Sequence, residues 1–361
     1  MFLAMKDLKY NKSRYSLIVS MLILLTFMVL FLSGLANGLS LATSASIKNA
    51  QANHYIVSDD ANSIITRSTL TEKQFEEVNG MTSSEITPIN LMRMSMYKKD
   101  TQKKMDITYL AVDKDSFMMP SIIDGSEISD DENTILLNKS FLEEEVSIGD
   151  TIIDSGSGIE MKVVGFVKDE MFGHSSVGII SLNTFKNIRT QINSNYETIY
   201  NAIAIKGDDI DNIEVANTEV LSKDDIIKNI PGHAQEQMSI NMILWVLVVV
   251  SAVILGVFFY IITTQKLTEF GVMKALGIEM KTLAAMIISQ VFILAGGSMI
   301  VGNILTFAIS SVLPSTMPFS LQVGSAVIIS IAFLIISILV SLVSLRKVAK
   351  VDPLMTIGGQ Q

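Results

Sequence analysis

Three stretches of this chain carry no charged side chain: 33 residues from Tyr15 to Ile47, 29 from Gln237 to Gln265, and 64 from Thr282 to Leu345. A membrane-spanning helix needs about 20 mostly apolar residues, because a charge at the bilayer centre is costly. The apolar cores of the first two runs predict spans over Ser16 to Leu35 and Ile240 to Ile262. The third run as one helix would be about 96 Å long at about 1.5 Å per residue, so it must fold back. Pro314 and Pro318 in SVLPSTMPFS mark the turn, giving spans over Leu283 to Ser310 and Gln322 to Leu345. The first run is longer than the roughly 7 to 15 apolar residues of a cleaved signal, and SGLANGLS in it continues into helix-compatible SLATSASIKNAQA, so it reads as an anchor.

Between spans one and two the rhythm changes to short apolar runs alternating with amphipathic stretches, as in an α+β domain. Strands are predicted at 54–58 (HYIVS), 105–112 (MDITYLAV), 133–137 (NTILL), 161–167 (MKVVGFV), 177–182 (VGIISL) and 199–206 (IYNAIAIK). Thr71 and Gln74 form a capping box for a helix over TEKQFEEV, and Lys139 to Val146 and Asn183 to Ile192 are further helices. SIGDTI at 147–152, with a Gly-Asp turn, opens a small β-module with the strand that follows. The expected fold is a membrane all-α protein of four transmembrane helices with an α+β extracellular domain inserted between helices 1 and 2. Its parts are a cytoplasmic N-terminus and first helix over 1–39, the insert with its helical stalks over 40–239, helices 2 to 4 over 240–345 with a cytoplasmic helix at 266–280, and a cytoplasmic tail over 346–361.

Charge sets the orientation. Lys6, Lys9, Lys12 and Arg14, then Lys266, Lys274 and Lys281, then Arg346, Lys347 and Lys350 all flank spans on one side, which the positive-inside rule makes cytoplasmic. The insert from Ser40 to Ser239 holds 17 basic and 32 acidic residues, which puts it outside. A total of 27 basic against 36 acidic residues leaves no basic face for nucleic acid. With no cysteine there is no disulfide framework, thiol nucleophile or thiolate metal site, and three histidines are few for a metal cage. The acidic clusters at Asp130 to Glu132 and Glu143 to Glu145 match no calcium loop and read as solvated surface. His174, in MFGHSS, has no acid partner at a recognisable spacing and reads as a loop histidine; His54 and His233 lie where the insert meets its stalks.

Between spans two and three, QKLTEFGVMKALGIEMKTL carries an apolar stripe of Val272, Met273 and Leu276 on a short helix that Gly277 should stop. The EFGVMKALG segment, four spans with the large domain after the first, and the tail KVDPLMTIGG together resemble ABC-transporter permeases of the MacB/FtsX type. That resemblance implies a coupling helix, with Glu269, Gly271, Met273, Lys274 and Gly277 governing engagement of a cytoplasmic ABC ATPase subunit. It also implies a homodimer in the plasma membrane. The chain has no GxxxxGK[ST] phosphate loop, so ATP hydrolysis is assigned to the separate subunit and the permease is not itself an enzyme.

LKYNKSRYSLI and MVLFLSGLANGLS near the start, MFGHSS, QEQMSINMIL, TMPF and VDPLMTIGG resemble the heme-exporting permeases of the HrtB type from Gram-positive bacteria. This implies heme as transported ligand, with no permanent cofactor, and Met28 and Glu236 as the pair meeting the heme iron. Met21, Met238 and Met242 also lie in or beside the spans, where packing is the ordinary role of methionine. Glu236 is the last charge before the second uncharged run, and a boundary carboxylate that merely reaches water is the plain alternative. Two other readings stay open: mechanotransmission to an extracellular enzyme in the manner of FtsX, and export of antimicrobial peptides or lipoprotein-like cargo.

Overall fold

The computed structural model describes residues 12–101, 103–314 and 317–349, with backbone alone for 12–14, 267 and 344–349. Lys6, Lys9, Lys350 and the VDPLMTIGG segment therefore lie outside the described residues. Among the described residues, four helices are long and apolar enough to cross a membrane: α1 (Lys12–Asn49), α5 (His233–Gln265), α7 (Met280–Ser310) and α8 (Val323–Ala349). The insert contributes α2 (Glu72–Asn79), α3 (Leu182–Ile192) and α4 (Lys223–Lys228), and α6 (Leu267–Ala275) follows α5. The chain divides into two units, Met1–Asn37 with Ser239–Gln361, and Gly38–Met238.

In the membrane unit, α1 buries Tyr15, Ile18, Leu22, Leu25 and Val29. Their alternating three- and four-residue spacing makes one stripe along the helix. They pack with Leu255 and Phe259 of α5 and Leu283, Val291 and Met299 of α7. Apolar side chains gain little from leaving lipid for protein, so close contact must come from small residues and polar pairs. On α7 the buried Ser298, Gly302 and Thr306 recur every fourth position, and a Cβ at Gly302 would stand 2.9 Å from Thr26 Cβ of α1. Asn303 Nδ2 donates to Ser330 Oγ of α8 at 2.9 Å. The turn after α7 contains Pro314 and Pro318, and Ser320 N donates to Gly34 O at 2.9 Å, bringing the Phe319 ring against Gly34.

The insert unit is built on thirteen strands. They are β1 (His54–Ser58), β2 (Leu70–Thr71), β3 (Glu85–Lys98), β4 (Lys104–Val112), β5 (Ile122–Gly125), β6 (Thr134–Asn138), β7 (Thr151–Asp154), β8 (Glu160–Val167), β9 (Met171–Phe172), β10 (Ser175–Ser181), β11 (Ile199–Tyr200), β12 (Ala202–Lys206) and β13 (Thr218–Ser222). The main sheet runs β13-β1-β12-β3-β4-β10-β6-β8-β5. Because β7 pairs with both β3 and β8, strands β3, β4, β10, β6, β8 and β7 close into a six-membered ring, which removes their free edges. Its interior holds Met96, Ile107, Tyr109, Ile135, Val163 and Ile180.

β1 and β12 are buried on both faces, so they read as unbroken apolar runs. Tyr55, Val57, Ala202 and Ala204 face a core shared with Ile47 and Ile226, while Ile56, Ile203 and Ile205 face Leu70 and Val78.

All six predicted strands are present, the last of them split at Asn201 into β11 and β12. The Thr71–Gln74 capping box forms reciprocally. Gly149, at φ +93°, makes the turn into β7, which pairs with β8 as the small module. Residues 139–144 form a 3-10 helix rather than the predicted helix to Val146, ended by Glu145 in the left-handed region at φ +60°. The 14-residue strand β3 has no counterpart in the predicted set. Pro88 and the polar residues along EITPINLMRMSMYK hide it, yet β3 pairs with β12 through its first third, with β4 over Asn90–Tyr97, and with β7 at its end.

Candidate functional site

Two regions stand out, one at the base of the insert and one on the helix between spans two and three. The base site starts from a tight turn. Gly173 (φ +57°) and His174 (φ +61°) are the two loop residues between β9 and β10, and positive φ at both centres fits the twist of a two-residue hairpin. The tip lies against the end of α1, where Gly173 N donates to Thr43 O at 2.9 Å and His174 N to Ala42 O at 3.0 Å. This aims the imidazole at Glu236 in the first turn of α5, a position where the helix dipole favours a carboxylate. His174 Nε2 lies 3.4 Å from Glu236 Oε2 and 3.2 Å from Thr43 Oγ1. Thr43 Oγ1 lies 3.1 Å from Glu236 Oε2 and 3.1 Å from Leu39 O, two acceptors for its single proton.

Glu236 is therefore not a free boundary carboxylate. Its side chain is 20% exposed, while that of His174 is 51% exposed, so the pair is open to solvent from the histidine side. His233, one turn before Glu236, is buried with Nδ1 lacking a hydrogen-bond partner. The sequence alone presents His174 as a loop histidine without an acid partner, and the structure corrects this. The acid lies 62 positions along the chain, and the only local signal was the Gly-His pair in MFGHSS. His54 Nδ1 lies 3.3 Å from Gly207 O, away from this cluster, and Tyr55 is fully buried, its burial pushing the phenol pKa up. Among the described residues no group of three or more His, Asp or Glu side chains is arranged to hold a metal ion.

Met28 belongs to the membrane unit and is 42% exposed on α1; Met238 and Met242 on α5 are exposed as well, and Met21 is half-buried. A thioether open on the surface of the chain is accessible to a ligand.

The second region is α6. Its C-terminus closes with a paired motif: Ile278 N donates to Met273 O at 3.0 Å and Gly277 N to Lys274 O at 3.1 Å, with Gly277 at φ +86°. Both bonds satisfy carbonyls that a helix end leaves open, and only glycine adopts that φ without strain. The stripe expected from Val272, Met273 and Leu276 divides. Val272 and Leu276 are exposed with Glu269, whereas Phe270 and Gly271 are buried and Met273 packs partly into the core of the membrane unit. The helix is held by one face and presents an apolar pair flanked by an acid on the other. Lys274 is half-buried and Gly277 is exposed.

Comparison with known proteins places this arrangement. The FtsX-like permease C-terminal family matches residues 241–353, which take in most of α5 and all of α6, α7 and α8. The putative hemin transport system permease protein HrtB of Staphylococcus haemolyticus is 30% identical over 366 residues, covering 100% of each chain. The protein of the same description from Staphylococcus epidermidis is 26% identical over 362 residues, again covering 100% of each. The extracellular domain of the noncanonic ABC-type transporter YknZ from Gram-positive bacteria is similar to 47% of this chain over 100% of its own length, at 13% identity and a TM-score of 0.35. Four apolar helices, a large insert after the first and a glycine-capped helix between the second and third, with relatives matched over the full length, make this chain a member of the MacB/FtsX-type ABC-transporter permeases, in their HrtB group.

Proposed function

We propose that this chain is the membrane subunit of an ATP-driven exporter that works as a homodimer with a cytoplasmic ATPase, its insert outside the cell, and that its cargo is heme taken from the membrane. The full-length similarity to permeases described as hemin transport proteins carries this reading. In it, Met28 and Glu236, from one or both protomers, meet the heme iron. A soft thioether and a hard carboxylate make a modest pair, which suits cargo that must be released. His174 and Thr43 act as positioning residues, holding Glu236 Oε2 and leaving Oε1 for the guest. ATP-driven closure of the partner subunits acts on α6 through the exposed face of Glu269, Val272 and Leu276.

Hemin titrated into the purified protein and followed by visible absorption tests the ligand pair. Glu236→Ala and Met28→Ala should each change the spectrum of bound heme and sensitise cells to hemin, while Met242→Ala should change it little. Unchanged spectrum and protection in both variants would remove the pair, and His174, already beside Glu236, would be the next ligand to test. Gly271→Pro, by contrast, should break α6 at a buried position and abolish hemin-stimulated ATP hydrolysis while leaving the heme spectrum intact. Normal ATPase stimulation in that variant would remove α6 from the coupling path.

A further inference from the structure

Within the insert, the end of α1 and the segments 117–123 and 168–170 line an open cavity of about 310 Å³. Phe117, Met118 and Met119 form an apolar side, and Ser46, Asn49 and Glu170 a polar one. Glu170 is 4% exposed, a degree of burial that carboxylates rarely reach without a cation. Its carboxylate accepts from Asn49 Nδ2, which lies 3.3 Å from Oε1. Ser46 Oγ is buried beside it, close enough for its hydroxyl to favour the ionised carboxylate.

Lys168, which also lines the cavity, and Lys139 both lie beside Asp169. Lys168 Nζ lies 3.7 Å from Asp169 Oδ2 and Lys139 Nζ 3.8 Å from Asp169 Oδ1. Glu170 is thus a buried carboxyl facing a cavity, beside the Ser46 hydroxyl, with no ion-pair partner among the described residues. The end of a helix adds to this field, because the last carbonyls of α1 point away from it and carry partial negative charge. The protein already sets an ammonium on that terminus: Lys223 Nζ donates to Ala50 O at 2.6 Å.

We propose that this cavity binds a small primary organic ammonium with an apolar body, with Glu170 as its counter-ion, Ser46 Oγ and Glu170 Oε2 accepting its N–H groups, and Phe117, Met118 and Met119 enclosing its hydrocarbon. Carboxylate-bearing and neutral guests of the same length lack the charge that the polar side calls for. Burial, reinforced by Asp169, holds the empty Glu170 carboxyl above the ordinary carboxylate range. The guest requires the ionised form, so binding should weaken on acidification as Glu170 takes up a proton.

The test uses the full chain in detergent with 13C-methyl methionine, without hemin, so its result is independent of the heme reading. n-Hexylammonium should shift the Met118 and Met119 methyl signals saturably, with n-hexanol and hexanoate at least about ten-fold weaker, as loss of a charge-assisted hydrogen bond predicts. Glu170→Gln should abolish the preference for the amine. Ile123→Lys, at an exposed position on the cavity lining, leaves Glu170 in place and should weaken amine binding by charge competition even if Glu170→Gln fails to fold. Equal shifts with hexanol, no saturation, or wild-type amine binding in either folded variant would overturn the proposal.

Discussion

Gly302→Leu is expected to unfold or misassemble the membrane unit and abolish transport. At this point α7 approaches α1 so closely that an added Cβ would stand 2.8 Å from Thr26 Cγ2, 2.9 Å from Thr26 Cβ and 3.5 Å from Ile23 O. Such distances leave no room for leucine, and the Thr26 Cβ in the way is bonded directly to the α1 backbone, so it cannot turn aside by a rotamer change. Overpacking a tight interior costs about 1–3 kcal/mol for modest additions, and leucine at a helix contact should reach or pass the top of that range. Thermal unfolding in detergent would measure it. Gly302→Ala should lie between wild type and leucine, and Thr26→Gly should recover part of the alanine loss, because the two sites share one contact. A leucine variant with wild-type melting and transport would show that the two helices are not held at this distance.

The second large effect belongs to Asp154, which is fully buried where β7 ends. Oδ1 accepts from Tyr109 Oη at 3.2 Å, and Oδ2 accepts from Gly156 N at 3.1 Å, Ser157 N at 2.7 Å and Ser157 Oγ at 2.8 Å. Burial and the nearby carboxylate hold the Tyr109 phenol well above its ordinary range, so it stays a donor at neutral pH. Asp154→Ala would strand Tyr109 Oη inside the ring and release the turn, a loss of about 4 kcal/mol. Tyr109→Phe removes donor and one contact together, leaves three bonds on Asp154, and should cost only about 1 kcal/mol. Denaturant or thermal unfolding of the two variants compares them directly, and equal losses would mean that the turn contributes nothing.

Neither effect is visible in a local window of sequence. Glycine in an apolar helix was legible, but that Gly302 meets Thr26 was not, since 276 positions separate them. Asp154 is one of 32 acidic residues in the insert, and its burial follows only from the closure of β7 onto β3 and β8. The base cluster repeats the lesson. His174 lies 131 positions from Thr43, and Glu236 lies 193 positions from it. The conspicuous place of Glu236 before span two was readable, whereas its partners came from a hairpin tip whose only signal was Gly-His. On α6, the glycine stop was legible because one residue's conformational freedom decides it. The division of Val272, Met273 and Leu276 between outer and inner faces was not, because it depends on which neighbours cover the helix.

By itself the sequence determined the four spans, the turn at Pro314 and Pro318, the capping box at Thr71 and the strands with unbroken apolar runs. Each of these is a sum of local costs: removal of charges from hydrocarbon, pairing of backbone groups at an element's ends, and burial of neighbouring side chains. The tertiary structure alone decided the closed six-strand ring, the place of β3 in it, the approach of α7 to α1, and the gathering of Thr43, His174 and Glu236. Those depend on pairs of residues distant along the chain, whose free energy exists only once the intervening segments have folded and brought them within hydrogen-bond or van der Waals reach.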